Sequence, residues 1–166
     1  MQLPDADALI AELARQMRPK LGPDTALVGI LTGGAWITER LNAAFGGKLP
    51  MGTLDISFYR DDYEEIGLHK EVKPSSIGFD VGGRDIVLVD DVLYTGRTVR
   101  GAMNELFDYG RPASIRLAVL VDRGGRELPV AADFTAASLA VPDDMNLRLD
   151  RAADGKLSLR LHPRNA

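Results

Sequence analysis

Four consecutive apolar residues, Ile86-Val87-Leu88-Val89, run straight into two carboxylates, Asp90 and Asp91. Such a run, β-branched at all but Leu88, suits a strand buried on both faces, the habit of parallel sheets in α/β proteins. The acids are read as the end of that strand. Thr95-Gly96-Arg97-Thr98 then makes a short turn, and Val99, Ala102, Met103 and Leu106 recur at helical spacing. Strand, acids, hydroxyl-rich loop and helix follow in that order. In an open α/β sheet, the carboxyl end of a strand is where ligands bind.

The chemistry of the stretch is specific. Thr95 to Thr98 offers backbone N–H groups, two hydroxyls and one guanidinium at a helix N-terminus, an anion site suited to phosphate. Gly96 permits a close approach or a positive φ without a Cβ penalty. Asp90 and Asp91 can accept hydrogen bonds from vicinal hydroxyls, or hold Mg²⁺ directly or through water. Hydroxyl acceptors beside a phosphate cradle describe a ribose 5-phosphate site. Each piece alone has an ordinary reading: Asp-Asp as a solvated turn, Thr-Gly as a turn with a helix cap. An acidic pair after an apolar strand also occurs in phospho-acceptor receiver domains, but near the start of the chain, whereas here it falls past the midpoint.

The composite resembles the 5-phosphoribosyl-1-pyrophosphate (PRPP) motif of the type I phosphoribosyltransferases. VDDVLYTGRTVR at 89–100, YGRPASIRLAVLVDRGGRELP at 109–129 and LDISFYRDD at 54–62 resemble, in order and spacing, the PyrR family of uracil phosphoribosyltransferases and pyrimidine-operon regulators. The resemblance implies an α/β fold: a doubly wound, mainly parallel sheet with helices on both faces and a small hood.

At 166 residues, with 45% hydrophobic and 27% charged residues, the chain reads as one domain, 1–166, with a full core. No apolar run approaches the roughly 20 residues of a membrane span. The start, MQLPDADALIAEL, has no basic region before an apolar one, so a cytoplasmic location is expected. The absence of cysteine excludes disulfides and thiolate chemistry. A net charge of −4 and a pI near 5.2 argue against a strongly basic nucleic-acid binder.

Asp5 to Leu21 reads as an amphipathic helix with Leu9, Ile10, Leu13, Met17 and Leu21 on one stripe. Leu27 to Leu31 reads as a core strand, turned by Thr32-Gly33-Gly34 into a helix containing Trp36, Ile37, Leu41 and Phe45. A glycine turn feeding a helix N-terminus again suits phosphate, and the resemblance implies that this loop holds pyrophosphate. A Thr-Arg-Gly sequence is common there in the family, and Gly33 stands in the place of that arginine. A strand through Leu54, Ile56 and Phe58 ends at Tyr59-Arg60-Asp61-Asp62. The resemblance makes this the start of a mobile lid, about 61–84, with Arg60 the candidate for the missing cation and Lys70 and Lys73 behind it. A long irregular loop in a compact domain is usually functional or mobile. His69 and His162 are given no role.

Tyr109-Gly110-Arg111-Pro112 closes the central helix, and Ile115 to Val121 is a further core strand ending at Asp122-Arg123. Beyond Ala131, alternating pairs (Phe134 with Ala136, Leu139 with Val141, Leu147 with Leu149, then Leu157, Leu159 and Leu161) suggest short strands, with Asp154-Gly155 a hairpin turn. This part is expected to complete the sheet or form the hood, and the last few residues to fray.

The resemblance then implies residue roles. Asp90, Asp91 and Arg60 are the catalytic candidates. Thr32, Gly33 and Gly34, together with Asp90, Asp91, Val92, Leu93, Tyr94, Thr95, Gly96, Arg97 and Thr98, would bind PRPP. Val121, Asp122 and Arg123 would read uracil, largely through backbone groups. Mg²⁺ is the implied cofactor, at Asp90 and Asp91. The implied reaction makes uridine 5′-monophosphate (UMP) and pyrophosphate from uracil and PRPP. The family also implies a homo-oligomer, dimer or higher, and allows leader RNA as a partner. The residues do not favour RNA: residues 1–24 hold four acids and three bases, and residues 122–166 hold seven of each. An alternative is a nucleotide-sensing, RNA-binding attenuation regulator with little turnover, for which Gly33 is the best support.

Overall fold

The computed structural model describes residues 1–57 and 75–165. A six-stranded sheet is built from β1 (Thr25–Ile30), β2 (Met51–Leu54), β3 (Ser76–Ile77), β4 (Asp85–Leu93), β5 (Ser114–Asp122) and β6 (Phe134–Ser138), in the order β3-β2-β1-β4-β5-β6. Every pairing is parallel except that of the short edge strand β3. Two further strands, β7 (Met145–Arg151) and β8 (Leu157–Pro163), form a separate antiparallel hairpin.

Apolar alternation assigns the two faces. Leu27, Val87, Val89, Ala118 and Leu120 point into one core, with the helices α1 (Ala6–Met17) and α2 (Gly33–Ala44) and with Leu147, Leu149, Leu157 and Leu159 of the hairpin. Ala26, Val28, Ile30, Ile86, Leu88, Leu117 and Val119 point into the other, against Val99, Ala102 and Leu106 of α3 (Arg97–Phe107). The sheet is doubly wound, as the sequence predicts. The chain leaves β1 through α2 toward β2 on one side, and leaves β4 through α3 toward β5 on the other. The connections therefore diverge between β1 and β4, and the loops after these neighbouring strands open a crevice.

Some boundaries differ from the sequence reading for local reasons. The first α-helix, capped by the Asp5 side chain accepting from the Ala8 N–H at 3.0 Å, stops at Met17, and Pro19 lies in the 3₁₀ turn (Arg18–Lys20) that follows. β2 ends at Leu54 because the Asp55 carboxylate accepts from the Ser57 N–H at 3.0 Å, an Asx turn that draws the chain off the strand direction. Within the stretch read as a long loop, residues 75–84 hold β3 and a fully buried Val81. Leu139 and Val141 fall outside any strand. Among the described residues, no helix is long and apolar enough to cross a membrane.

Candidate functional site

The loops after β1, β4 and β5 all emerge at the carboxyl edge of the sheet. An open cleft of about 620 Å³ lies there, lined by the β1–α2 loop (Thr32, Gly33), the end of β4 (Asp90, Asp91, Val92), Tyr94 and Thr98, Arg123, and Asn146, Leu147 and Arg148 of β7. Three predicted loops converge on it with one predicted short strand that the sequence reading did not place at the site.

Contrary to the sequence reading, Asp90 and Asp91 do not terminate β4. The strand runs on to Leu93, with Asp90, Val92 and Leu93 in register with Val119, Val121 and Asp122 of β5. Pairing with a β5 of equal length, nine residues in each strand, keeps the acids in extended backbone. They consequently point to opposite faces. Asp90 is buried, and its carboxylate accepts from the Asp91 N–H at 2.9 Å. The Asp91 carboxylate accepts from the Val92 N–H at 2.9 Å and from the Leu149 N–H of the hairpin at 3.3 Å.

The β1–α2 loop lies directly against these acids. A β-carbon on Gly34 would sit 2.2 Å from the Val89 carbonyl oxygen, and one on Gly33 would sit 2.7 Å from Oδ2 of Asp91. Only glycine allows this approach of helix to strand. The Leu31–Thr32 peptide is cis.

After β4, Gly96 caps α3 in the left-handed conformation (φ 94°), with no side chain at that position to accept from the first N–H groups of the helix. The Thr95 hydroxyl is buried and accepts from the Arg97 N–H at 3.2 Å. The Thr95 carbonyl accepts from the N–H groups of Glu127 and Leu128, at 2.9 and 3.1 Å, so the loop is tied to the chain beyond β5. The Arg97 guanidinium turns to Glu127, 3.0 Å away. Leu93 and Val121 are core residues. Arg60 lies outside the described residues, as do His69, Lys70 and Lys73.

At the end of β5, Asp122 pairs with Arg126 and accepts from the Gly124 N–H at 2.9 Å. Burial is the largest single effect on this carboxyl and pushes its pKa up. The Arg126 hydrogen bond, the Gly124 N–H and the Arg126 charge together outweigh it and hold the group below the ordinary carboxylate range. Arg126 also donates to the Tyr94 carbonyl at 2.8 Å. The Arg123 guanidinium lies 4.0 Å from the Tyr94 ring centroid and donates to the Met145 carbonyl at 3.0 Å. Arg164, expected to fray, donates to the Tyr94 hydroxyl at 3.0 Å.

The sequence reading missed Asn146 and Arg148. Their signal was present in the Leu147/Leu149 alternation, which puts the even-numbered positions on the opposite side of β7 from the buried leucines.

A sheet that switches direction between β1 and β4, with a glycine turn, an acidic pair and a helix N-terminus in the crevice, defines a phosphate-binding α/β protein of the phosphoribosyltransferase class. The family model described as "Phosphoribosyl transferase domain" matches residues 2–147. Among solved structures, the purine phosphoribosyltransferase of Pyrococcus horikoshii Ot3 superposes with a TM-score of 0.61 at 25% identity, covering 81% of this chain and 82% of that one. A hypoxanthine phosphoribosyltransferase of Staphylococcus aureus reaches a TM-score of 0.63 at 20% identity, covering 87% and 78%, a likeness of fold. Two proteins named "Bifunctional protein PyrR" are nearer in sequence. That of Pseudomonas fluorescens is 43% identical over 96% of this chain and 98% of its own length, and that of Pseudomonas syringae pv. syringae is 46% identical over 90% of each. The chain belongs to the PyrR family of phosphoribosyltransferases.

Proposed function

We propose that the chain transfers the 5-phosphoribosyl group of PRPP to uracil, giving UMP and pyrophosphate. The observation that carries this reading is the contact of the Thr32–Gly34 turn with Asp90 and Asp91 at the point where the sheet switches direction. One loop is shaped for pyrophosphate, the next for a ribose 5-phosphate, and they touch.

In the transfer, the bond from the anomeric carbon to pyrophosphate oxygen breaks and its electron pair leaves with pyrophosphate. A bond forms from uracil N1 to that carbon, and the N1 proton is lost. No covalent nucleophile is needed, so positioning and electrostatics supply the rate. The backbone N–H groups of Gly96 and Thr98 and the Thr98 hydroxyl would hold the 5-phosphate, beside the Arg97 N–H that donates to the Thr95 hydroxyl. Asp90 and Asp91 would accept from the ribose hydroxyls. Uracil would lie by Val121, Asp122 and Arg123, its imide edge matched by backbone groups.

The donor set fits Mg²⁺. Among the described residues no group of three or more acidic or histidine side chains converges, and the cleft is lined by two carboxylates, Asp90 and Asp91, that leave β4 on opposite faces. That suits an ion that keeps several waters and takes one or two carboxylates plus substrate phosphates. When bound, Mg²⁺ would neutralise the pyrophosphate charge.

The test is pyrophosphate release from PRPP and Mg²⁺ with uracil, hypoxanthine, guanine and orotate in parallel. Release with uracil alone is expected. Silence with every base, while UMP still binds, would move the chain to the sensing, RNA-binding reading. Over residues 143–164 the hairpin and its flanks hold five bases (Arg148, Arg151, Lys156, Arg160, Arg164) among four acids (Asp143, Asp144, Asp150, Asp154), so RNA binding as an added activity rests on the family alone. Salt-dependent retention of pyrimidine leader RNA would test it. Homo-oligomerisation belongs to the same proposal and is read by light scattering.

A further inference from the structure

We infer that Arg148, on β7, grips the pyrophosphate end of the donor and supplies the cation that the Thr32–Gly34 turn lacks. The inference rests on the phosphoribosyl-transfer reading and names a binding residue within that site.

The leaving group carries several negative charges and must sit beside two aspartates, so it needs a fixed positive group. The turn after β1 offers only backbone and a hydroxyl. A side chain at position 33 would collide with Asp91, because its β-carbon would lie 2.7 Å from Oδ2 of that residue. The same Oδ2 accepts from the Leu149 N–H at 3.3 Å. β7 is thus fastened to the carboxylate that abuts Gly33, and Arg148, one residue earlier, lines the cleft with Thr32, Gly33 and Asp91.

Three other arginines shape the walls around the cleft. Arg123 lies over Tyr94 and donates to the carbonyls of Met145, Val141 and Pro142, at 3.0, 3.5 and 3.4 Å, holding the β5 loop to the hairpin. Arg97 pairs with Glu127, and Arg126 with Asp122. Arg148 stands in cross-strand register with Arg160. Arg160 lies 3.5 Å from Asp150, and Arg148 extends this charged stretch of the hairpin to the cleft. The planar fork of arginine suits phosphate oxygens bidentately.

The test uses the full chain with Arg148→Ala and Arg148→Lys. Expected for Arg148→Ala is a KM for PRPP raised about tenfold to a hundredfold, with inhibition by added pyrophosphate weakened in parallel, the scale of a lost charge-assisted hydrogen bond. UMP shares the ribose 5-phosphate and base but lacks the pyrophosphate, so its affinity should stay within about twofold. Arg148→Lys should recover part of the loss. Unchanged KM for PRPP and unchanged pyrophosphate inhibition would overturn the assignment. An equal fall in UMP affinity would overturn it too, by marking general damage to the hairpin. If Arg148→Ala does not fold, Arg148→Lys and Arg148→Gln decide the same comparison. A wild type silent with uracil would sink the transfer reading separately, and calorimetric binding of pyrophosphate to wild type and variant would then decide Arg148 alone.

Discussion

Gly33 and Asp91 occupy one another's space: a β-carbon on the glycine would lie 2.7 Å from the aspartate Oδ2 and 2.9 Å from its Cγ. The absence of a side chain at position 33 and the placement of a carboxylate beside it are therefore a single packing fact.

Gly33→Ala must push the Asp91 carboxylate away from the Val92 and Leu149 N–H groups that hold it. Overpacking of this kind costs about 1–3 kcal/mol, and here it falls on a side chain at the edge of the cleft. Turnover with uracil should drop at least about tenfold, with a modest loss of thermal stability. Gly33→Arg, which writes the common family arginine into the loop, should lower turnover as well. Steady-state kinetics beside a thermal melt check both, and a rise in turnover with Gly33→Arg would show that Asp91 moves freely.

Arg164 and Tyr94 give a second expectation. Seventy residues apart, they are joined by the 3.0 Å hydrogen bond, and the Arg164 guanidinium lies 5.4 Å from the ring centroid. Tyr94 lies in the loop proposed to bind the donor. Arg164→Ala removes this hydrogen bond and this cation–π contact, about 1–2 kcal/mol together. KM for PRPP should rise several-fold with kcat little changed, measured at saturating uracil. An unaltered KM would mean that the Tyr94 loop holds its shape without this contact.

Acid should loosen the loop after β5. The Asp122 carboxyl is held below its ordinary value of 3.8 by Arg126 and the Gly124 N–H acting against burial. A depressed folded pKa stabilises above the unfolded value and is lost as pH falls through the folded value. Arg126→Gln removes the main favourable partner and leaves burial in place, so the Asp122 pKa should rise. The melting-temperature gap between wild type and Arg126→Gln should be widest above pH 3.8 and close as the pH falls below it. Carbon-detected NMR titration of Asp122 reads the shift directly.

What was legible in the sequence was local. The apolar run before Asp90, the glycine turn at Thr32–Gly34, and the helical spacing from Val99 to Leu106 each rest on neighbours a few residues apart, and they located three of the four walls of the cleft. The fourth wall depends on distant partners. Asp91 meets Leu149 across 58 positions, Arg97 meets Glu127 across 30, and Tyr94 meets Arg164 across 70. Such pairings leave no periodic trace. β4 runs longer than its sequence suggests for a related reason: aspartate is a poor strand residue by propensity, and pairing with β5 overrides that preference. Arg148 was hidden in an alternation read only for its leucines.

The most direct measurement is UMP formation from uracil, PRPP and Mg²⁺ by the wild type and by Asp91→Ala, with circular dichroism confirming that both are folded. Asp91 is where the pyrophosphate turn, the acidic strand and the hairpin meet. The wild type should form UMP, and the folded variant should lose at least about a hundredfold in rate, on the order of 3 kcal/mol in the barrier. A folded Asp91→Ala protein that forms UMP at the wild-type rate would contradict the assignment of this crevice as the place of transfer.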